Sequence, residues 1–162
     1  GNEAIITVGA MFVLSAALER TGVIASASRL LQTLPVRNER FVLMLLLPPV
    51  VAVSAFMNNT PVVVVFLPII VAFARQHNLA ASKLLMPLSF ASILGGSTTL
   101  IGTSTNLVAS SVGQRFGLTP IGMFELSPVG LLLAGVGLAL LLILAPRVLP
   151  RRDTVTSLLD AA

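Results

Sequence analysis

The residues of this chain that could do chemistry are neutral, and they gather in two short runs. The first is Ser54 followed by Asn58-Asn59-Thr60 and Pro61; the second extends from Gly95-Gly96-Ser97-Thr98-Thr99 to Gly102-Thr103-Ser104-Thr105-Asn106. Neither apolar stretch that contains them has an Asp, Glu, His, Lys or Arg, so neither offers a general acid, a base or a proton relay. What they do offer is oxygen and amide. A helix that stops inside a membrane exposes carbonyls, whereas one that starts there exposes N–H groups carrying roughly +0.5 of an elementary charge. Carbonyls near Phe56 and Leu94, with Ser54, Asn58, Asn59 and the backbone at Gly102, make a candidate nest for a hard monovalent cation, and the lack of titratable groups favours sodium over a proton. Helix N-termini at Pro61 and near Asn106, with hydrogen bonds from Asn59, Thr60, Thr103, Ser104, Thr105 and Asn106, make candidate contacts for a small anion. Holding a cation and an anion together at mid-depth is what a cation-coupled anion symporter requires.

Those runs need elements to hold them, and the composition says where. Of 162 residues 56% are hydrophobic and only 10% charged, and the mean hydropathy is +1.00. Soluble domains carry about 25% charged residues, so this is an all-α, polytopic membrane protein. The charges divide it. A charge-free stretch of 34 residues, Phe41 to Ala74, would make a helix about 51 Å long, well beyond a ~30 Å hydrocarbon core. Its polar middle leaves arms of 16 and 14 residues, too short for two full spans. The reading is a re-entrant hairpin over 40–75, with Thr60 as N-cap and Pro61 opening the second arm. Residues 83–116 read as one helix broken at mid-depth by glycines and hydroxyls. Around these lie a helix over 1–20, an amphipathic interfacial helix over 21–34, a span over 127–149 with Ser127 as N-cap, and a cytoplasmic tail over 151–162.

Sidedness follows from the basic residues. With a re-entrant hairpin, nine of the ten lie on one side and only Arg115 on the other, which makes the richer side cytoplasmic. Two full spans would give the same bias, so it supports the topology without testing re-entrancy. The net charge of +4 is spread along the chain and forms no phosphate-tracking patch, which excludes nucleic acid as a partner. No cysteine is present to form a disulfide or a thiolate metal site, and no organic cofactor is called for. A chain opening on Gly1 with no leader reads as an internal segment of something longer.

The run Asn58-Asn59-Thr60-Pro61, followed by Gly95-Gly96-Ser97-Thr98-Thr99-Leu100-Ile101-Gly102-Thr103-Ser104-Thr105-Asn106, resembles the divalent anion:sodium symporter family of the ion transporter superfamily, with its citrate-transporter-like fold. The resemblance covers nearly the whole chain. It implies an elevator-type transporter, usually a homodimer, built from two inverted repeats that each carry one hairpin and one broken helix. This chain resembles the N-terminal repeat alone. By motif position, Ser54, Asn58, Asn59 and Gly102 correspond to the first sodium site, and Asn59, Thr60, Thr105 and Asn106 to carboxylate or oxyanion contacts. Asn58 stands in place of the signature serine and Ser104-Thr105 in place of paired prolines, a departure from the dicarboxylate pattern. The variant resembles a bacterial and algal branch with fused cytoplasmic regulatory domains, for which sulfate is a candidate beside dicarboxylates and citrate, and a bacterial inner membrane is the implied location.

Two other classes compete with this reading. A membrane-embedded enzyme could use Ser97 or Ser104 as nucleophile, but the only histidine, His77, lies outside the membrane stretches and gives it no base. The other is a non-transporting sensor or scaffold subunit.

Overall fold

A computed structural model describes residues 39–77 and 79–150, together with the single positions Ile6 and Val13. The rest of the expected first helix, the interfacial helix over 21–34 and the tail over 151–162 lie outside the described residues. Every regular element among the described residues is helical. They are α1 (Glu39–Ser54), α2 (Asn59–Gln76), α3 (Ser82–Gly96), α4 (Ser104–Arg115) and α5 (Ser127–Val148).

The link between α1 and α2 is the four residues 55–58, so the chain reverses where the polar run interrupts the apolar one. The second arm starts earlier than the sequence predicts: Asn58 occupies the N-cap position, and Asn59, Thr60 and Pro61 form the first turn. The reason is elementary. The first N–H groups of any helix lack intrahelical partners, so a proline, which has no N–H, fits anywhere in that turn and does not mark its first residue. With 18 residues, α2 is about 27 Å long rather than the expected 14-residue arm. By length and composition, α2 and α5 are the two described helices able to cross a membrane. A similar correction applies at α5. Leu126 holds the N-cap position and Pro128 follows within the first turn, while the Ser127 hydroxyl, expected to cap, donates to the Thr98 carbonyl at 2.8 Å.

At the far end from the hairpin tip, Lys83 Nζ meets Glu39 Oε2 at 2.8 Å, joining the starts of α1 and α3. Ser82 Oγ donates to the Pro150 carbonyl at 3.2 Å, which brings the end of α5 to the same place. Arg40, Arg75, Lys83 and Arg147 therefore sit near one end of the helices, and Arg115 closes α4 after the break.

Helix α3 is the centre. It packs most extensively on α1 and also on α5 and α2, while α4 stands largely apart. The buried core draws Leu43, Leu46, Leu47 and Val50 from α1, Phe66 and Ile70 from α2, and Leu84 and Leu88 from α3. In lipid, burying a leucine removes no water, so helices associate through close packing of small residues instead. Two glycines show it. A β-carbon on Gly95 would collide with the backbone of Val51 in α1, and one on Gly130 would lie 2.6 Å from both the Ser97 oxygen and the Thr98 Cα at the helix break. By contrast, Leu131, Leu132, Leu133, Leu140 and Leu144 leave α5 exposed along most of its length, as suits a helix whose outer surface meets lipid or further protein.

One residue pair in α5 tests this packing. Gly135 has nothing within 4 Å of its would-be β-carbon, whereas Gly130 is crowded by backbone. Gly130→Ala is expected to destabilise the full-length protein by about 1–3 kcal/mol, and Gly135→Ala to leave it unchanged or to stabilise it by up to about 1 kcal/mol. Thermal unfolding in detergent measures both; equal responses would contradict the close approach of α5 to the break.

Candidate functional site

The two polar runs, some forty residues apart in sequence, meet at Gly96. Asn59, the first residue of α2, holds its Oδ1 where a β-carbon on Gly96 would have to be, and the Gly102 carbonyl oxygen lies 3.1 Å from the same point. From the other side, Asn106 in the first turn of α4 donates through Nδ2 to the Gly96 carbonyl at 3.2 Å and to the Thr99 carbonyl at 2.9 Å. The hairpin tip and the helix break thus converge on one glycine.

Serines fasten the tip. Ser54 closes α1 and is fully buried; its hydroxyl has the Ser92 carbonyl at 2.7 Å and Asn59 Oδ1 at 2.9 Å as acceptors. A hydroxyl has one proton, so it serves one acceptor at a time and keeps its lone pairs for another partner. Ser92, equally buried in the middle of α3, donates to the Asn59 carbonyl at 3.3 Å. Thr99 joins the tip to the break: its hydroxyl donates to the Ala55 carbonyl and accepts from the Gly102 N–H at 3.1 Å.

The severed end of α3 is closed by its own sequence. Ser97 Oγ donates to the Leu94 carbonyl and Thr98 Oγ1 to the Gly95 carbonyl, each at 2.7 Å, and Asn106 covers Gly96. The Leu94 carbonyl, read from the sequence as part of the cation nest, is thereby engaged. Asn59 Oδ1 and the Gly102 carbonyl oxygen instead share the space over Gly96, and the Ser54 hydroxyl donates to the Asn59 oxygen. Several break amides also find acceptors, Thr98 N–H donating to the Gly95 carbonyl and Leu100 N–H to the Met123 carbonyl, each at 3.0 Å, as backbone in apolar surroundings favours.

The starts of α2 and α4 are different. Neither Asn58 nor Thr103, at the two N-cap positions, makes a side-chain capping bond. The first-turn N–H groups of Asn59, Thr60, Ser104 and Thr105 therefore receive no bond from these N-cap side chains and carry the positive end of each dipole, while the Asn106 N–H turns back to the Thr103 carbonyl at 3.2 Å. Asn58, Thr103 and Ser104 are half-buried, and Thr60 and Thr105 are exposed. Asn106 gives both protons of its side-chain amide to carbonyls, which braces the break and leaves its Oδ1 as an acceptor.

Sequence reasoning missed Ser92, and it named Thr99 only as a breaker of the helix. A signal for Ser92 exists, because a hydroxyl in the middle of an apolar, buried helix must find a partner.

Among the described residues every regular element is helical, and helix ends meet neutral oxygens at an internal junction, an arrangement also used by membrane transporters built on discontinuous helices. Family-level comparison matches residues 1–157 to the citrate transporter family, and the chain belongs to that family. It is 43% identical over 155 residues to the uncharacterized transporter sll0640 of Synechocystis, covering 96% of this chain and 25% of that protein. It is 35% identical over 156 residues to a putative sulfur deprivation response regulator of Chlamydomonas reinhardtii, covering 95% of this chain and 26% of the other. Sodium/sulfate cotransporter 2 of the same alga is 38% identical over 109 residues, or 63% of this chain and 12% of the cotransporter. The chain spans about a quarter of the length of the first two relatives. No solved structure matches it significantly.

The junction is directly testable. Gly96→Ala should force Asn59 away from the break, and amides of residues 55–60 and 97–103 should then exchange faster with deuterium in the full-length protein. Unchanged exchange in both segments would contradict the contact at Gly96.

Proposed function

We propose that this chain is one repeat of a sodium-coupled symporter for small anions, with sulfate first among the candidates and citrate or dicarboxylates after it. The observation that carries the reading is the meeting of Asn59, Gly102 and the uncapped starts of α2 and α4 at one uncharged junction. In this reading Ser54, Asn58, Asn59 and the Gly102 carbonyl hold sodium. Asn59, Thr60, Thr103, Ser104 and Thr105 approach the anion, with Asn106 bracing the loop that carries them. Asn59 serves both ions, its oxygen packed against Gly96 and its amide nitrogen available to an oxyanion. The algal relatives named as sodium/sulfate cotransporters support the choice of ions. The hairpin over 40–75 is re-entrant in this reading, and the whole protein is a multi-pass, homodimeric elevator of a bacterial inner membrane, as the family resemblance implies.

Electrostatics supports coupling of the two ions. With no fixed charge among the site residues, bringing an anion to the two helix starts alone leaves its charge poorly compensated in a low-dielectric setting. A sodium ion a few ångströms away supplies the missing charge, so each ion favours the other.

In proteoliposomes containing the full-length protein, sulfate uptake is expected to require an inward sodium gradient and to persist when the proton gradient is collapsed. Asn59→Ala should reduce that uptake to background while Thr119→Ala, at an exposed position after α4, leaves it intact. Sodium-independent uptake, or full activity of Asn59→Ala, would refute the assignment.

A further inference from the structure

The site proposed above is assembled from two halves, and one buried side chain holds both. Thr99 is 4% exposed. Its hydroxyl donates to the Ala55 carbonyl of the hairpin tip and accepts from the Gly102 N–H of the break at 3.1 Å, while its own carbonyl receives Asn106 Nδ2 at 2.9 Å. We propose that Thr99 is the positioning residue that sets the Gly102 carbonyl against the hairpin tip, and so fixes the affinity for sodium. The inference rests on the sodium-symport reading and assigns the residue that keeps that site in register.

The geometry leaves Gly102 little freedom apart from this hold. A β-carbon there would sit 2.6 Å from the Gly96 carbonyl oxygen and 3.0 Å from the Ala55 carbonyl oxygen. Gly102 is therefore wedged between the end of α3 and the tip, two oxygen-bearing segments that would separate without a donor between them. Thr99 supplies that donor to Ala55 and, through a lone pair, takes the Gly102 amide. With the amide of Gly102 fixed on one side, its carbonyl is presented to the space shared with Asn59 Oδ1. Valine has the shape of threonine and neither function: it would leave a buried acceptor at Ala55 and a buried donor at Gly102 without partners. Serine retains both.

This positioning role differs from plain structural support in what it moves. Displacing one cation ligand raises the sodium concentration needed for half-maximal activity, but sufficient sodium restores the rate. General destabilisation lowers the maximal rate and the melting temperature and leaves the sodium dependence where it was. The experiment is sodium titration of sulfate uptake by the full-length protein in proteoliposomes, accompanied by sodium titration of its melting temperature in detergent. Thr99→Val is expected to shift half-saturation for sodium about tenfold upward, with the maximal rate approached at high sodium, and Thr99→Ser to stay within about twofold of the parent. If Thr99→Val does not reach the membrane, Thr99→Ala removes the same two bonds with less bulk and carries the same expectation. A sodium response in the parent that is unaltered in Thr99→Val and Thr99→Ala overturns the role of Thr99 alone. So does a loss of maximal rate at unchanged half-saturation. Absence of any sodium response in the parent overturns the sodium reading as well.

Discussion

A backbone interrupted in apolar surroundings has to satisfy its own polar groups, and that constraint organises the polar centre of this molecule. The break after α3 meets it locally where Ser97 and Thr98 fold back onto carbonyls of the last turn, and across the chain where Leu100 reaches the Met123 carbonyl. At longer range it meets it with Thr99 on the hairpin tip and with Asn106 reaching back over the gap. Small residues are a condition of the same arrangement, because a β-carbon on Gly95 or Gly102 would run into neighbouring backbone and one on Gly96 into the Asn59 side chain. The hydroxyls and glycines that weaken α3 as a helix are thus the groups that complete its interruption.

What remains after this satisfaction is asymmetric. The carbonyl end of α3 is closed by its own hydroxyls and by Asn106, whereas the amino ends of α2 and α4 have no side-chain caps. Positive helix ends are consequently the main electrostatic feature at the junction, and the remaining acceptors, Asn59 Oδ1 and the Gly102 oxygen, stand beside them. An anion and a cation can each find partners there without any ionised side chain. The charged residues are kept elsewhere, as in the Glu39–Lys83 pair at the opposite end of the hairpin.

Much of this was legible in the sequence because charge and polarity are so sparse. An all-helical membrane chain follows from its composition, and the two polar runs stand out against apolar sequence on both sides. Boundaries were less legible. Thr60 before Pro61 mimics a helix start, and so does Ser127 before Pro128, yet both helices begin one or two residues earlier because a proline is tolerated throughout the first turn. Hydrogen-bond roles were least legible. Nothing in the spacing says that Asn106 would turn both amide protons inward, that Ser127 would hold the break instead of capping its own helix, or that Ser92 would lie under Ser54. Those facts depend on how α3 packs between its neighbours, which a periodicity does not encode.

In the proposed transport site the hairpin tip and the helix break together enclose one monovalent cation. A heavy monovalent cation that can stand in for sodium, thallium(I), locates such a site through its anomalous scattering in crystals of the full-length protein. A peak is expected within coordination distance of Asn59 Oδ1 and the Gly102 carbonyl oxygen, lost when sodium is added in excess. A map with no peak at that junction, or with peaks only on surfaces away from Asn59 and Gly102, would contradict it.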